Sequence, residues 1–96
     1  MGRNEVIEKL AAHKDVLATL GVKSLSLFGS VARDEATAQS DVDILVDFGE
    51  PASFDLYMDL KFYLEELLAT RVDLVTDRGL KPRARPFVQQ DAIRVA

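Results

Sequence analysis

The sequence predicts an α/β fold, a small mixed sheet flanked by helices. Three observations predict it. Residues 3–20 and 54–69 carry apolar side chains at helical spacing. Residues 22–28, 42–48 and 71–76 are short apolar runs of strand length. The two kinds alternate along the chain, a pattern that packs as a helix layer on a mixed or parallel sheet.

Each element has its own signals. In 3–20, Val6, Ile7, Leu10, Leu17 and Leu20 form one stripe, with Asn4 placed to cap the start and Gly21 to stop the end. Leu25 and Leu27 share one face of the first strand, 22–28. A short helix, 30–36, begins at the Gly29-Ser30 turn, and the polar loop Thr37 to Ser40 follows. In the second strand, 42–48, Val42, Ile44, Val46 and Phe48 point one way and Asp43 and Asp47 the other. Gly49-Glu50-Pro51 breaks the chain. Ser53 is an N-cap for the helix 54–69, which holds Phe54, Leu56, Tyr57, Leu60, Leu64, Leu67 and Leu68. Leu56 and Tyr63 put apolar residues on a second side of that helix, as a partner surface requires. The third strand is 71–76, and Asp77-Arg78-Gly79 is a turn. Pro82 and Pro86 rule out a continuous helix between them, so 87–93 is a short helix or an extended arm.

Composition narrows the class. Ninety-six residues, 48% of them hydrophobic, are expected to form one domain, 1–96, with a real core. No apolar run reaches the roughly 18 residues of a membrane span, and no signal-peptide pattern opens the chain. Without cysteine, disulfides and thiolate metal sites are excluded, and a cytoplasmic protein is expected. A net charge of −4 argues against direct nucleic-acid binding. The charge is uneven: residues 1–77 hold fifteen acidic and seven basic side chains, residues 78–96 one acidic and five basic. The basic tail reads as a solvated surface, or as a phosphate clamp or docking strip.

The chemistry concentrates in Gly29-Ser30, Asp41-Val42-Asp43 and Asp73. Alternation in a strand sends Asp41 and Asp43 the same way. Side-by-side carboxylates repel unless a cation lies between them. Such oxygen ligands suit Mg²⁺, which binds through one or two carboxylates plus substrate phosphates. Asp73 completes a three-acid cluster if its strand lies beside 42–48. Gly29 lets backbone approach a phosphate, and a following helix N-terminus favours the anion. Ser30 also reads simply as a helix cap. Arg33, one turn on, either reaches a triphosphate or stays in solvent. Asp47 reads as a surface acid, Ser40 as a loop residue, and His13 as a surface helix position. Competing motifs fail: an EF-hand starting at Asp41 would put Leu45 and Val46 where a ligand and a glycine belong. The Walker lysine motif, the His-Glu zinc motif and the nucleophile elbow are all absent.

Gly29-Ser30, ten residues, then Asp41-x-Asp43 resembles the signature of the DNA polymerase β-like nucleotidyltransferases. The runs Leu27 to Ala36 and Ser40 to Phe48 look like the minimal branch of that superfamily. That branch includes the MntA-type antitoxins, partners of HEPN-domain toxins. The resemblance covers roughly 20–95. Many relatives have glycine where this chain has Asp34, a position expected in the helix after the Gly-Ser turn.

The resemblance implies a nucleotidyltransferase core and transfer of AMP from ATP to a hydroxyl, a tyrosine on a HEPN toxin, within a hetero-oligomer. Asp41, Asp43 and Asp73 would be catalytic and hold two Mg²⁺ ions. Gly29, Ser30 and Arg33 would bind the nucleotide. Two other functions stay open: an antitoxin that only occludes its toxin, and a small-molecule transferase, which usually needs an added substrate domain.

Overall fold

The computed structural model describes residues 2–37 and 39–96. In chain order the elements are α1 (Arg3–Ala12), α2 (Lys14–Thr19), β1 (Ser24–Phe28), α3 (Gly29–Ala32), β2 (Val42–Asp47), α4 (Phe54–Leu68), β3 (Val72–Thr76), α5 (Arg85–Asp91) and β4 (Ile93–Arg94). They build the mixed α/β fold that the sequence predicts. The strands lie in the order β3-β2-β1-β4. β1 runs antiparallel to β2 and β4, and β2 runs parallel to β3 through the α4 crossover.

Alternation decides which sheet face is buried. Leu25, Leu27, Val42, Ile44, Val46, Val72 and Leu74 pack against Val6 and Leu10 of α1, Leu17 of α2, and Leu60, Leu64 and Leu68 of α4. The intervening residues Asp43, Asp47 and Asp73 therefore stay off the core. Among the described residues no helix is long and apolar enough to cross a membrane.

Several local expectations change. The helix expected over 3–20 is two helices, because the chain tightens at His13, whose N–H donates to Leu10 O at 3.2 Å. His13 is half-buried rather than a surface helix residue. Its Nδ1 donates to Lys9 O at 2.8 Å, and its ring stands edge-on to Tyr63. Gly2, not Asn4, occupies the cap position of α1. Ser53 caps α4 as expected, accepting from the Leu56 N–H at 3.1 Å.

α3 is shorter than 30–36, and Asp34 lies outside it. Asp34 takes a left-handed φ of +61°. Its N–H donates to Val31 O, and the Glu35 N–H donates to Ser30 O at 2.8 Å. That bond pair is the Schellman helix ending, whose left-handed position favours glycine. The glycine expected of relatives at this position has a backbone reason, and aspartate tolerates it better than most residues. At the C-terminus, Pro86 falls in the first turn of α5, where its missing N–H leaves no bond unmade. The chain then adds the two-residue strand β4 on β1.

Candidate active site

Two registers assemble the site. In the antiparallel pair, Phe28 at the end of β1 faces Asp43. In the parallel pair, Asp43 faces Asp73. Gly29 follows Phe28 directly, with a φ of +75°. A side chain there would run into the Asp43 carboxylate, whose Cγ would lie 2.9 Å from the new Cβ. Glycine is thus required twice, by its dihedral and by the carboxylate it touches.

Asp43 is the perturbed group. Its pKa is pushed up to about 6, first by burial, then by the charges of Asp73 and Asp41 and a hydrogen bond with Asp73; nearby Arg33 opposes the rise. A cation beside it would oppose that rise and favour the ionised carboxylate. Asp73 is exposed beside it.

Asp41 is placed differently. It precedes β2 and is exposed, its position set by a loop that bonds to itself. The Thr37 N–H donates to Ser40 Oγ at 3.0 Å, and the Ser40 N–H donates to Thr37 O at 3.1 Å. Ser40 is the loop residue the sequence suggests. Asp41 Oδ1 lies 3.3 Å from Arg71 Nε. Asp41 thus has a cationic partner, which the strand pattern alone does not reveal. Among the described residues, no three His, Asp or Glu side chains stand together as a ready metal site. Asp43 and Asp73 are brought together, with Asp41 near enough to be felt. Asp43 and Asp73 supply the hard oxygen donors that Mg²⁺ takes, and Asp41 is a third at hand.

The phosphate side is similar in part. Phe28, not Ser30, stands at the N-cap of α3, so Ser30 is not a helix cap. α3 has four residues and contributes little macrodipole; an anion here would rest on the N–H groups of the turn. Arg33 reaches the site electrostatically, but its guanidinium is held by Glu35 at 3.0 Å and Asp91 at 2.6 Å. Asp47 accepts from the Gly49 N–H at 2.7 Å, a turn-capping role away from the paired acids. A cleft of about 520 Å³ lies at the other end of β2 and β3, around Val46, Asp47, Phe48, Tyr57 and Thr76, and includes none of Gly29, Ser30, Arg33, Asp41, Asp43 and Asp73. Arg71 and Asp91 were not legible as site neighbours, because only strand register and helix docking bring them in.

Residues 10–95 match the nucleotidyltransferase domain family. The chain belongs to that family. This nucleotidyltransferase is 44% identical over 92 residues to the protein adenylyltransferase MntA of Thermococcus cleftensis, covering 95% of this chain and 93% of the relative. A solved structure of a protein predicted to be a minimal nucleotidyltransferase superposes with a TM-score of 0.84 at 41% identity, over 97% of this chain and 95% of the other. A more distant likeness, at 19% identity and a TM-score of 0.63, is to the complex of a tri-AMPylated HEPN toxin with its MNT antitoxin from Shewanella oneidensis. It covers 91% of this chain and 71% of that one, and speaks for the fold alone.

Proposed function

We propose that this nucleotidyltransferase transfers AMP from ATP to a tyrosine hydroxyl of a HEPN-type toxin and acts as its antitoxin. The observation that carries the reading is the Asp43–Asp73 pair beside the Gly29 turn. Raised carboxylate pKa values at a cluster of acids gather at functional sites. The Thermococcus relative is a protein adenylyltransferase and the Shewanella complex holds a tri-AMPylated HEPN toxin with its MNT antitoxin, which supports a protein acceptor.

The reaction is an in-line displacement at the α-phosphorus. The acceptor oxygen forms a bond to phosphorus, and the bond to the bridging oxygen breaks, releasing pyrophosphate. Gly29 and Ser30 seat the triphosphate on the turn's N–H groups, and Arg33 adds charge if it leaves Asp91. Asp41, Asp43 and Asp73 would hold Mg²⁺, which supplies charge neutralisation at the attacking and leaving oxygens. Asp73, the exposed member of the pair, takes the hydroxyl proton. Positioning and charge carry most of such a transfer, so this short list of residues suffices.

Occlusion of the toxin is the second reading. It is favoured by Phe54 and Phe62 on α4, which are 75% and 59% exposed. The test is incubation with Mg²⁺, labelled ATP and a purified HEPN-domain toxin that binds this chain, followed by peptide mapping. Label on a tyrosine of that protein is expected. A stable complex that carries no label would replace transfer with occlusion.

A further inference from the structure

Backbone register sets a cation against the site. The Val42 N–H donates to the carbonyl of Arg71 at 3.0 Å. That bond places Arg71, just ahead of β3, beside Asp41, just ahead of β2. Their side chains then meet at 3.3 Å, with Arg71 82% and Asp41 45% exposed. Pairs so open to water contribute little and are broken easily. Asp41 is thereby engaged by a positive charge while Asp43 and Asp73 have each other.

We propose that Arg71 is a place-holding cation: it occupies Asp41 in the metal-free protein and gives that carboxylate up when a divalent metal enters beside Asp43 and Asp73. This rests on the reading of Asp41 as a metal ligand. A monovalent guanidinium and a divalent ion compete for one carboxylate, so the metal's apparent affinity is lowered by whatever holds the pair. Arg71 is here a positioning residue; it tunes the site through Asp41.

The experiment is calorimetric titration of Mn²⁺ alone into wild type, Arg71→Gln, Asp41→Asn and the double variant, at low and high salt. Arg71→Gln is expected to bind Mn²⁺ about two- to fivefold tighter at low salt, in line with an exposed pair. The gain should shrink at high salt as screening weakens the pair. It should vanish in the Asp41→Asn background, since the two side chains act as a unit. Equal melting temperatures in chelator check that the exposed substitutions leave the fold intact. Unchanged or weaker Mn²⁺ binding by Arg71→Gln overturns the place-holder role, as does an equal gain in the Asp41→Asn background. If Asp41→Asn binds Mn²⁺ as wild type does, Asp41 is not a ligand and the underlying metal reading falls as well.

Discussion

At the scale of single residues, Gly29 and Asp43 carry the account. Gly29→Ala forces a side chain into a left-handed backbone position and onto the Asp43 carboxylate. The backbone term alone costs about 1–2 kcal/mol. The expected outcome is a lower melting temperature together with lost transfer. Asp43 gives a pH signature. Its folded pKa, about 6, lies above its ordinary value, so the folded state binds the extra proton between roughly pH 4 and 6. That stabilisation is full below pH 4 and is lost as pH rises through 6. Asp43→Asn removes the charge, so without metal it should be more stable than wild type at pH 8, by on the order of 2 kcal/mol. The difference should fade toward pH 4. Urea unfolding in chelator at both pH values measures it, and parallel stability curves would remove the proposed burial and repulsion at Asp43. The aspartates were legible because strand alternation and the ten-residue spacing are local. The Arg71–Asp41 and Arg33–Asp91 pairs were not, since their partners are 30 and 58 residues apart in sequence and meet only through tertiary structure.

At the scale of elements, α4 secures the sheet as well as its core. β3 is an edge strand. Two of its polar backbone groups are met by α4 side chains: the Tyr57 hydroxyl donates to Leu74 O at 2.5 Å, and Glu65 accepts from the Val72 N–H at 3.1 Å. Blunting a free edge in this way opposes strand addition by another chain. Tyr57→Phe leaves Leu74 O without its donor and is expected to cost about 1 kcal/mol in urea unfolding. The end of α4 offers the converse. Ala69 adopts a left-handed φ of +53°, a position suited to glycine. Ala69→Gly should raise stability by up to about 1 kcal/mol, and a lower melting temperature would speak against that cap geometry. Strong periodicity made β1, β2, β3 and α4 readable from sequence. The break at His13 turns on a side-chain bond to Lys9 O, and the short α3 turns on one left-handed aspartate. β4 is two residues long and exists only through its pairing with β1, so local pattern could not announce it.

At the scale of the molecule, the sheet order sets Asp43 between its two neighbours, Phe28 of β1 and Asp73 of β3, on the side away from the α1–α2–α4 layer. Asp73 is exposed on that side, while Asp43 is half-buried. α4 leaves Phe54 and Phe62 exposed, and Phe87 on α5 is 73% exposed. The central claim is that the paired acids perform the transfer. Its most direct measurement is the intact mass of the HEPN partner after incubation with ATP, Mg²⁺ and either wild type or Asp43→Asn, with partner binding by both checked in parallel. The account predicts whole AMP increments with wild type, none with Asp43→Asn, and equal binding by both. AMP increments of the same extent with Asp43→Asn, or none with wild type that binds its partner, would contradict it.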